Sequence, residues 1–230
     1  MRIRSLLLVV TLLCLTGAAR AAFEVMPTTL IFKANMNETM VWVDVLHKGG
    51  GPIAIEMEVL ERYLTIDGDP DLTRTERNRS FTVHPARVIL QPDEQARVQV
   101  VYRGPKVSSD KAYVFLSREI PLTIDGAEGE FATAINTLVQ YYSVLAFETG
   151  KRGRLTFISS KAIEGGKIEV IVENRSQGRV PMDEMILTVG KDKIKNFTGK
   201  KNSVMPGQQR RLTFEYARPV TARDITFGYK

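Results

Sequence analysis

The chain has 230 residues, of which 43% are hydrophobic and 25% are charged, with one cysteine and a formal net charge of +6. This composition is typical of a folded globular protein and excludes disordered, collagen-like and disulfide-stabilised small proteins. The charge is uneven, because residues 22–150 hold 12 basic and 18 acidic side chains, whereas residues 151–230 hold 17 basic and 8 acidic ones. Such an asymmetry favours two domains of opposite charge.

The first 21 residues have the pattern of a secretory signal peptide. Arg2 and Arg4 precede an apolar run over residues 6–15, and Ala19-Arg20-Ala21 fits a small-x-small cleavage site. The only cysteine, Cys14, lies inside the apolar run, so the mature chain is expected to contain none. No later stretch approaches the roughly 20 apolar residues of a transmembrane helix, so the product is not expected to span a membrane.

The residues up to 148 contain short apolar runs, often of alternating polarity, with turn residues between them. This pattern predicts the strands of a β-sandwich and gives no helix of useful length. Pro27 makes the first strand an edge strand or a kinked strand. Residues 65–80 are polar and predict a long loop or a short edge hairpin. The predicted strands lie at residues 23–33, 39–46, 53–63, 81–83, 86–90, 96–102, 112–121 and 131–147.

The last of these stretches, residues 131–147, has 17 residues without a glycine, a proline or a charge. Its β-branched and aromatic composition suits a strand, although strands usually have about 3–10 residues. We expect it to form a hairpin with residues 112–121. Residues 142–147 are apolar on both faces and are expected to be core, whereas residues 131–139 are more mixed and could be offered to a partner.

A polar, glycine-bounded segment at residues 149–153 predicts a linker between an N-terminal domain at residues 22–148 and a C-terminal β-sandwich at residues 154–230. The predicted strands of the second domain are shorter. They lie at residues 155–158, 167–173, 185–189, 212–216 and 224–228.

The sequence offers little catalytic chemistry, and we expect no enzymatic activity, no cofactor and no metal site. His47 and His84 lie in no metal-ligand spacing, and there is no nucleophile elbow. The acidic pairs Glu56/Glu58 and Asp183/Glu184 are more typical of solvated strands and turns than of an acid–base pair. Asp67, Asp69 and Asp71 have the alternate spacing of a calcium loop, but the required glycine and downstream glutamate are missing.

Several stretches resemble the periplasmic pilus-assembly chaperones, the PapD-like family, as a divergent member. VMPTTLIF at residues 25–32 is similar to the first strand of the family, and FTVHPARVILQPDEQARVQVVYRG at residues 81–104 is similar to a central segment. AYVFLSREIP at residues 112–121 is the most specific match. The resemblance implies two immunoglobulin-like β-sandwich domains in a boomerang arrangement.

The resemblance also implies a function in the periplasm. Such a chaperone shields a pilus or fimbrial subunit by donor-strand complementation, here with strand 131–147, and passes it to an outer-membrane usher. The same edge could also pair with a second copy of the chain in a self-capping dimer. No nucleic-acid partner is expected for an exported protein. The alternative is an exported two-domain structural or adhesive protein without a chaperone role.

The resemblance assigns two groups of site residues. The family anchors the carboxylate of its subunit with an arginine and a lysine, but the matching positions here are Thr29 and either Gln140 or Ser143, none of which is basic. Lys33 and Arg103 are possible substitutes. The side chains expected to enter the groove of the subunit, if Gln140 is the matching position, are Phe131, Thr133, Ile135, Thr137 and Val139; with Ser143, they would be Ala134, Asn136 and Leu138.

Overall fold

The computed structural model describes residues 23–34, 39–74, 76–122, 138–199 and 202–229. Within these ranges the chain forms fifteen β-strands and no α-helix. The strands form four sheets that pack into two sandwiches, each around its own hydrophobic core. The all-β fold with two sandwiches that the sequence predicts is therefore confirmed. The predicted signal peptide, residues 1–21, lies outside the described residues.

The first sandwich combines a four-stranded sheet of order β1-β3-β7-β5 with a five-stranded sheet of order β2-β9-β8-β4-β6. Its nine strands are β1 (Phe23–Met26), β2 (Thr29–Lys33), β3 (Met40–His47), β4 (Ile53–Glu61), β5 (Phe81–His84), β6 (Arg87–Leu90), β7 (Gln95–Tyr102), β8 (Lys111–Ile120) and β9 (Gln140–Glu148). The predicted hairpin partners are confirmed for the described residues, because β8 and β9 pair in antiparallel fashion. The sequence predicted one continuous strand from residue 131, but Leu138 and Val139 precede the strand and are not part of it.

The first predicted strand is divided between the two sheets. β1 pairs with β3 in the four-stranded sheet, whereas β2 runs parallel to β9 in the five-stranded sheet. Pro27 lies between them and has no N–H group to donate to a neighbouring strand. The prediction of an edge or kinked strand is therefore confirmed, and the chain crosses from one sheet to the other at this point.

Aromatic side chains fill one end of the first core. The Phe32 and Phe147 rings of the neighbouring strands β2 and β9 stack with centroids 4.7 Å apart. Tyr102 of the opposite sheet meets Phe147 edge-on at 4.6 Å, and its hydroxyl donates to the Pro105 carbonyl oxygen at 2.9 Å. The stacking and the satisfied hydroxyl fix the C-terminal half of β9 in the interior.

Glu56 of β4 joins three adjacent strands on the outer face of the five-stranded sheet. Arg118 of β8 donates to Glu56 Oε2 from Nε at 3.0 Å and Nη2 at 2.5 Å. Arg87 of β6 donates to Glu56 Oε1 from Nε at 2.8 Å and Nη2 at 2.5 Å. These bonds, those from Arg118 first, lower the pKa of Glu56 below its ordinary value. The network fixes the end of β8 that lies beside the start of β9.

The second sandwich packs the sheet β10-β11-β14 on the sheet β13-β12-β15. Its six strands are β10 (Leu155–Ile163), β11 (Lys167–Asn174), β12 (Met185–Val189), β13 (Asp192–Ile194), β14 (Gln209–Glu215) and β15 (Ile225–Tyr229). The expectation of shorter strands is wrong for β10, which has 9 residues. A bulge shifts the register of β10 against β11 between Phe157 and Ser159. The strand continues beyond this bulge to Ile163, whereas the predicted strand ended at residue 158.

Asp110 forms one joint between the sandwiches. Its side chain is buried, and its carboxylate accepts from the Thr149 N–H at 2.7 Å and from the Arg179 N–H at 2.8 Å. The Asp110 N–H donates to the Gln177 carbonyl oxygen at 2.8 Å. A single buried carboxylate therefore ties the segment before β8 to the chain after β9 and to the turn after β11.

The loop after β4 forms a second joint with β14. The Arg211 N–H donates to the Ile66 carbonyl oxygen at 2.9 Å, and the Arg211 guanidinium lies 3.0 Å from the Asp67 carboxylate. Asn202 Nδ2 donates to the Gly68 carbonyl oxygen at 2.7 Å. Gly68 has a φ of +87°, and a Cβ at this position would lie 1.4 Å from Nη1 of Arg210. The joint therefore requires a glycine at position 68.

We expect Gly68→Ala to weaken this joint, because the added methyl group meets a fully buried guanidinium and the left-handed backbone conformation disfavours a side chain. The free energy of unfolding, measured with urea, should fall by about 1–3 kcal/mol. Gly50→Ala is the control, because no atom lies within 4 Å of a Cβ at that position. Equal stabilities of the two variants would contradict this account of the joint.

Glu56→Gln tests the charge network. A carboxylate whose pKa is lowered in the folded state stabilises the fold above its unfolded pKa of about 4.3, and this contribution is lost as the pH falls through the lower folded pKa. We expect the variant to lose about 1 kcal/mol near pH 7 and to approach the unsubstituted protein in acid.

Urea unfolding over a pH series measures this difference. Glu164→Gln, in the exposed turn after β10, is the matched control. A stability difference between the Glu56 variant and the unsubstituted protein that stays constant from neutral to acidic pH would contradict the proposed coupling.

Candidate functional site: an open strand edge

Strand β9 has neighbours on both sides along only part of its length. β8 pairs with it from Gln140 to Phe147, but β2 pairs with it only from Val144 onward. Among the described residues, no strand pairs with the other side of residues 140–143. The first four residues of β9 therefore form a sheet edge, whereas the rest of the strand is internal.

The backbone groups of this edge alternate in direction. The Glu119 N–H of β8 donates to the Val139 carbonyl oxygen at 2.9 Å, so the odd-numbered residues direct their backbone groups toward β8. The Val144 N–H donates to the Thr28 carbonyl oxygen at 3.1 Å, so the even-numbered residues face the side of β2. By the same alternation, the backbone groups of Gln140 and Tyr142 point to the open side.

The end of β8 positions the start of β9. Arg118 pairs with Gln140 across the sheet, and the Arg118 side chain is fixed by Glu56. Glu119 contacts Val139 twice, because its carboxylate also accepts from the Val139 N–H at 3.4 Å. The Arg-Glu-Ile-Pro sequence at residues 118–121 therefore holds the chain as it enters the open edge.

The side chains of the edge divide between the two faces of the sheet. The Tyr141 ring meets Phe23 at 4.9 Å in the interior, and Ser143 is also buried. Tyr142 is 46% exposed and Leu138 is 43% exposed on the outer face. The expectation that residues 142–147 are core is thus wrong for Tyr142, whose hydroxyl donates to Gln140 Oε1 at 2.8 Å. The outer face at this edge has no covering layer among the described residues.

The side chains expected to enter a groove are only partly described. Val139 is half-buried and packs against the first core, on the same face as Tyr141. The other four expected residues lie outside the described residues. They are Phe131, Thr133, Ile135 and Thr137.

The positions that match the family's basic anchors are not brought together. Thr29 is exposed and lies opposite Val144, on the outer face of the sheet. Gln140 is exposed on the same face, but four residues earlier along β9, which corresponds to about 13 Å. Ser143 is next to Val144, but its side chain is 4% exposed and points inward. A carboxylate placed between Thr29 and Gln140 would meet no basic side chain from these positions.

The two possible substitutes lie at the other end of the first sandwich. Lys33 is the last residue of β2 and pairs with Glu148, where β9 ends. Arg103 follows β7, and its N–H donates to the Ser80 carbonyl oxygen at 2.7 Å. Both side chains are exposed, but neither is adjacent to the open edge at residues 140–143.

The histidines occupy structural positions. His47 is buried, with Nε2 2.6 Å from the Gly51 carbonyl oxygen and Nδ1 accepting from the Gly49 N–H at 3.1 Å. His84 is exposed before Pro85.

Most of the acidic residues considered in the sequence analysis form ion pairs or are exposed to solvent. Glu56 is bound by two arginines, and Asp67 is paired with Arg211. Asp183 and Glu184 are exposed in a turn. Across the described part of the chain, no group of three or more histidine, cysteine, aspartate or glutamate side chains could hold a metal ion. In the same part, no helix is long and apolar enough to cross a membrane.

Sequence reasoning missed the contribution of the Glu56 network to this edge. The signal was present in part, because Glu56 and Arg87 both lie in predicted strands and Arg118 belongs to the segment that most resembles the chaperone family. Which acids and arginines meet depends on the strand order β8-β4-β6, which local periodicity does not give.

Comparison with known proteins supports the fold. No protein-family model and no curated protein sequence matches the chain. Among solved structures, a chain in the complex of the SafA pilin with the SafB chaperone of Salmonella enterica has a TM-score of 0.53 and 17% identity, covering 85% of each chain. The CsuC–CsuE chaperone–tip adhesion subunit complex of Acinetobacter baumannii gives 0.55 and 12% identity, covering 86% of this chain and 89% of that chain.

The E. coli chaperone DraB also matches, with a TM-score of 0.51 and 13% identity, covering 84% of this chain and 85% of that chain. These matches are chaperones or chaperone complexes. The chain therefore has the two-domain fold of the PapD-like pilus chaperones.

Proposed function

We propose that the protein is a periplasmic chaperone for a pilus or fimbrial subunit. The open edge at residues 140–143, directly after the uncharged stretch of residues 131–139, is the observation that carries the proposal. Exposed strand edges are normally blunted by charge, by proline or by a covering segment. An edge without charge or proline is suited to accept a strand from a partner.

The proposed mode of binding is strand addition. Gln140 and Tyr142 offer backbone donors and acceptors on the open side, and the preceding residues would continue this ladder along the subunit. Alternate side chains would fill the groove that an incomplete subunit sandwich leaves open. We assign this role to Phe131, Thr133, Ile135, Thr137 and Val139.

The inward orientation of Ser143 supports the assignment of the odd-numbered row. Ser143, Tyr141 and Val139 share one face, so Ser143 cannot also be an outward-facing anchor position. Gln140 lies on the opposite face and is exposed. Side chains two residues apart share a face of an extended chain, so in the proposed complex the row that contains Val139 would continue to Ile135.

Recognition in this proposal does not depend on a basic anchor. Thr29 and Gln140 carry no charge, and Arg118, which lies opposite Gln140 in the sheet, already binds Glu56. Backbone pairing and apolar side chains would therefore supply most of the affinity for the subunit. The chaperone would shield the subunit until an outer-membrane usher accepts it, and in the absence of a subunit the edge could pair with a second copy of the chain.

Co-expression with a fibre subunit encoded beside the gene tests the function. The subunit is expected to aggregate or be degraded without the chaperone and to be recovered in complex with it. Recovery of equal amounts of subunit with and without this protein would contradict the proposal.

Ile135→Lys tests the groove-facing row. A buried lysine without a partner is costly, so the affinity for the subunit should fall at least about tenfold, while the urea unfolding of the free protein stays unchanged. Asn136→Lys is the matched control, because the two residues are adjacent and are expected to point to opposite faces. A larger loss from Asn136→Lys would contradict the assigned row, and unfolding of the Ile135 variant would indicate an internal strand.

A further inference from the structure

The second sandwich has a basic depression, here called the lysine cleft, beside the edge strands β13 and β14. It is an open cavity of about 760 Å³. Lys193 and Lys195 lie on or just after β13, and Lys167 begins β11. The three lysines therefore come from two different sheets and line the same opening.

The positive charge of the lysine cleft is largely uncompensated. All three lysines are exposed, and none forms an ion pair with a carboxylate among the described residues. Among the described lining residues Glu215 is the one acidic side chain, and it lies opposite Lys167 in the register of β11 and β14. Asp192 lies outside the lining and accepts from the Tyr216 hydroxyl at 3.2 Å.

Apolar side chains line the cleft between the lysines. Ile194 and Phe197 are half-buried, and Phe214 beneath them is buried in the second core. Phe214 is the one buried residue among the described residues of the lining, so this part of the lining offers no buried polar side chain to select one small ligand. The lysines themselves are compact point charges without the fixed fork of an arginine.

We propose that the lysine cleft binds the surface of a membrane that contains anionic phospholipids. Lysines next to partly exposed apolar side chains suit lipid head groups, which offer many phosphates and no fixed geometry. An acidic protein segment would be better matched by arginine forks or by buried hydrogen-bonding groups, which the lining lacks. The inference does not rest on the proposed chaperone function.

The charge distribution of the chain supports an orientation in which the second sandwich faces the membrane. Residues 151–230 have an excess of nine basic over acidic side chains, whereas residues 22–150 have an excess of six acidic ones. An anionic surface would therefore attract the second sandwich and repel the first. Because this attraction is screened beyond about 8 Å at physiological ionic strength, it acts on the lysines that contact the surface.

Vesicle co-sedimentation tests the proposal with the purified, exported protein. Vesicles of phosphatidylcholine are compared with vesicles that also contain phosphatidylglycerol, at low and high salt. Binding should require phosphatidylglycerol and weaken with salt. Each lysine near such a surface contributes roughly fivefold to binding, so Lys167→Gln/Lys193→Gln/Lys195→Gln should lower the partition coefficient roughly a hundredfold.

The matched control removes the same number of charges from exposed lysines of the first sandwich, as Lys48→Gln/Lys106→Gln/Lys111→Gln. Retention of binding in the control, with loss in the cleft variant, supports the proposal. It is overturned if the unsubstituted protein does not bind phosphatidylglycerol vesicles, or if the control loses as much binding. It is also overturned if the cleft variant loses affinity for a protein subunit while its vesicle binding stays unchanged, because the cleft would then serve a protein partner.

Discussion

The arrangement of strands in the first sandwich depends on the crossing of the chain from one sheet to the other between β1 and β2. β1 and β2 are separated by two residues but belong to different sheets, so β2 reaches β9 only at Val144. The same crossing completes the sheet along the C-terminal half of β9. It leaves residues 140–143 with one neighbouring strand, β8, in the part of the chain that the structure describes. A sandwich whose first strand stayed in one sheet would either cover this edge or leave all of β9 exposed.

The opposite neighbour of β9 is fixed more firmly. β8 follows β9 to its first residue, and beyond it Glu119 binds the backbone of Val139 from both its own backbone and its side chain. Arg118 is bound in turn to Glu56, which Arg87 also binds. The open edge is thus held in place by β8 on its paired side. A preorganised edge of this kind reduces the entropy lost when a strand from a partner is added.

The two joints between the sandwiches use different physical means. Asp110 is buried, and its carboxylate accepts from the backbone N–H of Thr149 in the predicted linker and from that of Arg179 in the second sandwich. Fixed backbone donors thus take the place of water around the buried carboxylate. At the second joint, the backbone of Ile66 and Gly68 accepts from β14 and from Asn202, and the close approach leaves no space for a side chain at position 68. The two sandwiches are therefore connected by specific hydrogen bonds in addition to the covalent chain.

Much of the fold follows from local sequence signals, because alternating apolar residues and turns locate strands without knowledge of their partners. The kink at Pro27 and the hairpin of β8 with β9 are examples. The parallel pairing of β2 with β9 is not visible locally, since it joins residues more than 100 positions apart. Tyr142 shows that composition alone does not predict burial. It belongs to a long uncharged run, yet it is exposed because no described residues cover its face of the sheet.

Backbone amide exchange in β9, measured with and without a bound fibre subunit, tests the central claim most directly. The open edge predicts that the Gln140 and Tyr142 amides exchange much more slowly in the complex, because a subunit strand accepts their hydrogen bonds. The Tyr141 and Ser143 amides should change far less, because they already face β8. Binding of the subunit without added protection at Gln140 and Tyr142 would contradict the account.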